Sequence, residues 1–79
     1  MTDTLELDIA IKRAGLTRGQ VAKYLGQTMT TLFNKMHNKV EFKASEIAKI
    51  KALLNLSNDQ RDRIFFNFDV DGESTKEAI

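Results

Sequence analysis

LTRGQVAKYLGQTMTTLFNKMHNK, residues 16–39, is the stretch that decides the fold. Its pattern predicts two short helices joined by a tight turn at Gly26, because glycine adopts the positive φ that such a turn requires. Ala22, four residues earlier, is small enough for the two helices to touch. Leu32, six residues later, is expected to point the second helix into the core. The stretch therefore predicts two helices packed across a turn.

Polar residues mark where the helices of the chain begin. Side chains of Ser, Thr and Asp favour the position before a helix, where they accept a backbone N–H hydrogen bond. The candidates are Thr17, Thr28 and the pairs Asp3/Glu6 and Ser57/Gln60, which have capping-box spacing. Gly15, Asn38 and Asn55 are expected to end helices. We predict five helices, at about residues 4–14, 18–25, 29–36, 44–54 and 58–66.

The first helix has a competing interpretation as a strand. The apolar residues at 5, 7, 9 and 11 alternate with other residues, which is strand periodicity. Leu7, Ala10, Ile11 and Ala14 have helical spacing instead, and no strand partner follows, so we predict a helix. The alternation then leaves Leu5 and Ile9 on a second apolar edge that another part of the protein must cover.

Phenylalanines cluster near the end of the predicted domain, in the segment IFFNF, residues 64–68. We expect Ile64 and Phe65 to complete the core, and Phe66 or Phe68 to cover the apolar edge of the first helix. The alternative is that this segment forms a homodimer interface. From about Asp69 onward the chain is polar and acidic. We therefore predict a folded domain over residues 1–68 and a flexible acidic tail over 69–79.

The composition excludes several classes of function. There is no cysteine and one histidine, His37, so we expect no disulfide, no metal site and no cofactor. No nucleophile, acid–base pair or phosphate loop can be named, so we do not expect an enzyme. The N-terminal segment MTDTLELD is acidic where a signal peptide is basic, and no apolar run reaches the length of a membrane span. A cytoplasmic protein without membrane contact is expected.

The charges are segregated along the chain although the net charge is only +1. Residues 1–11 carry three acidic groups, residues 12–51 carry nine basic against two acidic groups, and residues 52–79 carry three basic against six acidic groups. The basic block contains the two-helix stretch, where phosphate contacts would be needed. This coincidence favours nucleic acid as the partner more than the charge alone does.

The five-helix order, with LTRGQVAKYLG followed by a short capped helix, resembles the Cro/C1-type (lambda-repressor-like) helix-turn-helix family. The resemblance covers about residues 5–65, and NKMHNKVEFKASEI is similar to small prophage repressors of Gram-positive bacteria. It implies an all-α, five-helix DNA-binding domain. It also implies a sequence-specific transcriptional regulator, a prophage Cro-like repressor that binds operator DNA in a bacterial cell.

In such proteins the first helix of the pair crosses the DNA backbone and the second lies in the major groove. The resemblance therefore places the base-reading residues on the solvent face of the helix at 29–36. These candidates are Met29, Thr30, Thr31, Phe33 and Asn34. An amide suits adenine, and an apolar side chain can contact the methyl group of thymine. The candidates for phosphate contacts are Arg18, Thr28, Lys35, Asn38, Lys39 and Lys43.

Three features depart from the family pattern. Met29 and Thr30 stand where Gln, Arg or Ser is usual, and Phe33 stands where a polar residue is usual. Gly19 lies inside a predicted helix, which implies the close approach of another backbone. An apolar exposed surface also marks protein partners, so the alternative function is a modulator or antirepressor that binds another repressor through this surface. A further alternative turns Phe33 inward against the link at 40–42.

Overall fold

The computed structural model describes residues 1–66, and within them all regular structure is helical. The five helices are α1 Thr4–Arg13, α2 Arg18–Tyr24, α3 Met29–Met36, α4 Ala44–Leu53 and α5 Asn58–Phe65. The all-α prediction is confirmed, and each predicted helix end lies within one residue of the observed one. The alternating segment at 5–11 is helical, as predicted. The predicted tail, residues 69–79, lies outside the described residues.

Side-chain caps begin four of the five helices. The cap residues are Asp3, Thr17, Thr28 and Ser57, and each accepts a hydrogen bond from the backbone N–H three residues later. The Oε1 atoms of Gln20 and Gln60 accept hydrogen bonds from the backbone N–H groups of Thr17 and Ser57, which completes capping boxes on α2 and α5. At α1 the N–H of Asp3 donates to the carbonyl of Ile64, at 2.6 Å. This bond ties the start of α1 to the end of α5.

The turn between α2 and α3 has the predicted left-handed geometry. Gly26 has a φ of 71°, and a Cβ built there would meet nothing within 4 Å. The requirement for glycine at this turn is therefore one of backbone conformation and not of space. Asn38 and Asn55, predicted to end α3 and α4, also have positive φ values, of 65° and 55°.

A single apolar core lies between the five helices. Its buried members are Leu7, Ile11, Val21, Ala22, Leu32, Met36, Ile47, Ile50, Leu54, Leu56, Ile64 and Phe65. The predicted core positions Ala22 and Leu32, on the two sides of the turn, are 2% and 1% exposed. Leu7 and Ile11, from the helical spacing that predicted α1, are buried, whereas Ala14, the last residue of that pattern, is the exposed C-cap of the helix.

The predicted cover for the second apolar edge of α1 differs from the observed packing. Ile64 and Phe65 complete the core as predicted, but Leu5 remains 69% exposed. Phe66 lies along a groove formed with Phe42 and Ile47, next to α4. Phe66 therefore does not have the predicted covering role, and Phe68, the other candidate, lies outside the described residues.

Gly19 is not explained by a close backbone approach. A Cβ at this position would meet only Met29 Sδ and Thr17 Oγ1, both at 3.7 Å, which is ordinary van der Waals contact. The expectation that another backbone requires glycine here is therefore wrong. The position costs helix stability without a steric reason in the described residues.

Gly19→Ala is expected to raise the free energy of unfolding by about 0.5–1 kcal/mol, because alanine has the higher helix propensity and restricts the unfolded chain. Urea denaturation followed by circular dichroism measures the change. Gly26→Ala is the matched control, and it should destabilise the protein because alanine would be forced to a positive φ. A Gly19→Ala protein less stable than the parent would show that the glycine has a structural role.

Candidate nucleic-acid interface

Helix α3 presents two parallel rows of side chains to solvent. One row, spaced four residues apart, contains Met29, Phe33 and His37, the last being the C-cap of the helix. The other contains Thr30, which is exposed, and Asn34, which is half-buried. The opposite face of the helix packs into the core through Leu32 and Met36. We call the outward residues 29, 30, 33, 34 and 37 the α3 surface.

Phe33 points outward and does not turn against the link at 40–42. Its side chain is 43% exposed, and its ring lies against that of His37, with centroids 4.1 Å apart and planes tilted by 37°. The pair is one helical turn apart, which is the spacing at which side chains on a helix meet. His37 was not among the predicted site residues, although its position four residues after Phe33 could have indicated this contact.

The polar candidates on α3 differ in what their side chains already bind. Thr31 is half-buried, and its hydroxyl pairs with that of Thr28 at 3.0 Å, so both belong to the cap of the helix. The side-chain amide of Asn34 makes no hydrogen bond within residues 1–66, whereas its backbone carbonyl accepts from the N–H of Lys39. Asn34 is therefore the amide on the α3 surface that is available to a ligand.

Lys35 does not face solvent, in contrast to the prediction. The residue is only 7% exposed, and its Nζ lies 2.5 Å from Oε2 of Glu46 on α4. A buried ammonium is stable only when it is paired and hydrogen-bonded. The charge of Lys35 is therefore used within the protein, and this residue is removed from the phosphate-contact candidates.

Glu46 is the centre of a buried polar network that fixes α3 against α4. Its Oε2 also accepts a hydrogen bond from Nε2 of Gln27, in the turn between α2 and α3, and its Oε1 accepts from the N–H of Lys43 at 2.8 Å. Burial opposes ionisation of Glu46, but the hydrogen bonds from Lys35, Lys43 and Gln27 outweigh it and hold the pKa of Glu46 below its ordinary value. Sequence reasoning missed this network, because Lys35 and Gln27 are 11 and 19 residues from Glu46.

Arg18 forms a bidentate ion pair with Asp8 of α1. Its Nε donates to Oδ1 at 2.9 Å and its Nη2 donates to Oδ2. The hydrogen bond from Arg18 holds the pKa of Asp8 below its ordinary value, against the effect of burial, and Asp8 in turn raises the pKa of Arg18. The charge of Arg18 is thus balanced by Asp8, so a phosphate at this place would compete with a carboxylate.

The remaining candidates lie at and after the end of α3. The side chain of Asn38 is held by Thr2, whose N–H donates to Oδ1 at 2.7 Å and whose carbonyl accepts from Nδ2 at 2.9 Å. Lys39 and Lys43, in the segment that joins α3 to α4, are exposed and form no ion pair within residues 1–66. They are the two predicted phosphate-contact lysines whose ammonium groups remain available.

The described residues contain neither a metal-ligand cluster nor a membrane-spanning helix. Within residues 1–66, no three side chains of histidine, aspartate or glutamate come together as ligands for a metal ion. None of the five helices in that range has both the length and the apolar character to cross a membrane. Comparisons with protein-family models, curated proteins and solved structures each found no match.

Proposed function

We propose that this protein is a sequence-specific DNA-binding transcriptional regulator of the Cro/C1 helix-turn-helix type, a repressor that binds operator DNA through α3. The observation that carries the proposal is that one side of α3 is fixed against the core while the other side faces solvent. The inner side is fixed by Leu32, Met36 and the Lys35–Glu46 pair. The outer side is exposed at Met29, Thr30 and Phe33, although Met29 Sδ lies close to Gly19 of α2. A fixed helix with an exposed outer face is what insertion into the major groove requires.

The positions of the available cations support the same proposal. Lys39 lies in the segment that joins α3 to α4, and Lys43 is the N-cap of α4. Both can contact phosphates while α3 lies between the backbones. In this arrangement α2 crosses the DNA backbone, and the turn at Gly26 sets the angle between the two helices. The repressor would then act by occupying a site that overlaps a promoter and excluding polymerase.

A second candidate function has its own supporting observation. Met29 and Phe33 are 52% and 43% exposed, and large apolar side chains of this kind are common at protein interfaces. The corresponding function is a modulator that binds another repressor protein through the α3 surface. The two functions predict different ligands for the same surface, so binding experiments separate them.

A gel-shift titration with the DNA that flanks the protein's own gene tests the proposal. We expect tight binding that weakens with added salt and exceeds binding to unrelated competitor DNA by at least about a thousandfold. Binding no better than that of competitor DNA, together with co-purification of a second small repressor, would favour the modulator function.

Asn34→Ala is expected to weaken binding to the cognate operator about tenfold and to leave binding to random DNA nearly unchanged, because an amide that reads a base edge contributes only at the correct site. Lys39→Ala is the matched control for phosphate contact. It should weaken binding to both DNAs to a similar extent and reduce the salt dependence. Equal losses on both DNAs for Asn34→Ala would remove this residue from base reading.

A further inference from the structure

The α3 surface lacks the side chains that read guanine. Bidentate contacts to guanine come from arginine or lysine, and the single basic residue of α3, Lys35, is buried against Glu46. The α3 surface contains no arginine and no glutamine. What remains is the hydroxyl of Thr30, which can contact any base with a single hydrogen bond, the ring of His37, which lies against Phe33, the amide of Asn34, which suits adenine, and the apolar row of Met29 and Phe33, which suits the methyl group of thymine. This chemistry favours A·T base pairs.

The spacing of the apolar row matches the spacing of bases. Residues 29 and 33 are one turn apart on α3, which separates them by about 6 Å along the helix axis. Successive base pairs are about 3.4 Å apart, so two base-pair steps cover nearly the same distance. Two methyl groups two steps apart can therefore contact Met29 and Phe33 at the same time when the helix follows the groove.

The contact between the rings of Phe33 and His37 restricts the conformation of Phe33. His37 lies against its ring with centroids 4.1 Å apart, so the ring is restricted on that side before any ligand binds. A side chain fixed in advance loses little conformational entropy on binding. Contact with a thymine methyl then removes apolar surface of both partners from water.

The charges beside this surface decide which class of macromolecule it fits. Lys39 and Lys43 are exposed and form no ion pair within residues 1–66. Lys39 lies in the segment that joins α3 to α4, and Lys43 is the N-cap of α4. A partner that covers α3 must also accept these cations. The phosphate backbone of a duplex on either side of the major groove supplies the complementary charge.

We propose that this protein recognises its DNA site through thymine methyl groups, with Met29 and Phe33 each contacting the methyl of one of two thymines two base-pair steps apart. This inference rests on the proposed function, and it names the class of DNA sequence that the same surface selects. Specificity then depends on the methyl group of thymine. Uracil lacks this group but has the same hydrogen-bonding groups as thymine.

Uracil substitution tests the inference. A binding site is first selected from a library of random duplexes, and each thymine of the selected site is then replaced by deoxyuridine, one at a time. Fluorescence anisotropy measures the dissociation constant of each duplex. We expect a three- to tenfold loss of affinity at two positions that are two steps apart, and little change at the others.

Variants assign each methyl group to its side chain. Met29→Ala should remove the effect of uracil at one of the two positions, and Phe33→Ala should remove it at the other. Val40→Ala is the matched control, since Val40 is equally exposed, at 51%, but lies outside α3. This variant should keep both uracil effects.

Three other outcomes would overturn the inference in distinguishable ways. Specific binding that is equally strong with uracil at every position would overturn methyl reading and leave the proposed function standing. Failure to select any duplex over competitor DNA would overturn both. Unchanged DNA binding by Met29→Ala and Phe33→Ala, together with loss of a complex with a second repressor, would assign the apolar row to a protein partner.

Discussion

Glu46→Ala is expected to lower the free energy of unfolding by about 3 kcal/mol, the largest effect that we predict. The change removes the partner of Lys35 and leaves an ammonium group that is only 7% exposed without its carboxylate. It also removes the acceptor for the N–H of Lys43 at the start of α4 and for Nε2 of Gln27. Urea denaturation measures the loss, with Lys39→Ala as a surface control that should change stability by less than about 0.5 kcal/mol.

A double variant without charges in the network separates the contribution of the ion pair to stability from that of the hydrogen bonds. In Lys35→Met/Glu46→Gln, the new amide can still accept from the N–H of Lys43. Its NH2 group can donate to Oε1 of Gln27, a buried oxygen without a partner within residues 1–66, once the side-chain amide of Gln27 has rotated to face it. We expect this double variant to recover most of the stability lost in Glu46→Ala, because no buried charge remains unpaired. A loss of similar size in both variants would show that the charge itself is required.

The dependence of stability on pH is an independent test of the same network. The pKa of Glu46 is held below its ordinary value of 4.5, so folding favours the ionised carboxylate. Its contribution to stability is complete above 4.5 and is lost as the pH falls through the lower pKa of the folded state. The pKa of Asp8 is also lowered, so the parent protein loses stability in acid for both reasons. The double variant should lose less, since only Asp8 contributes to it.

Asn38→Ala is expected to lower the free energy of unfolding by about 2–3 kcal/mol. Two effects add at this position. An alanine at a φ of 65° is strained by about 1 kcal/mol or more. The change also removes both hydrogen bonds to the backbone of Thr2, a residue that is 8% exposed, and each such bond contributes about 1 kcal/mol.

Asn38→Gly distinguishes the two effects, because glycine adopts the positive φ without strain but cannot bind Thr2. Its stability should lie between those of the parent and Asn38→Ala, as measured by thermal or urea denaturation. If the glycine variant were as stable as the parent, the hydrogen bonds to Thr2 would contribute nothing. If it were as unstable as the alanine variant, the backbone strain would be negligible.

The helix boundaries could be predicted from the sequence because their signals are local. Thr17, Thr28 and Ser57 cap the residues that follow them within a single turn, and a positive φ at Gly26 or Asn38 is a property of the residue itself. Such signals require no knowledge of what lies elsewhere in the chain. They are also the reason that the all-α architecture could be predicted from the sequence alone.

The candidate site was harder to predict from the sequence than the helices were, because partners distant in the sequence decide which charged side chains remain available. Lys35 and Arg18 look like surface cations on a basic helix pair, but Glu46 and Asp8 bind them from other helices. The orientation of Phe33 was also undecided, since a helical spacing does not show which side faces the core. In each case the missing information was a tertiary contact, which the spacing of residues along one helix does not contain.

The hydrogen bond from Asp3 to Ile64 has a consequence for the order in which the protein folds. It joins the beginning of α1 to the end of α5 across 61 residues, whereas α2 and α3 pair across a short turn. Local contacts form before those that close long loops. During synthesis, α1 therefore has to wait until the ribosome has released residue 64 before its first turn can be locked. A chain shortened before that residue would lack this closing bond and the core side chains of Ile64 and Phe65.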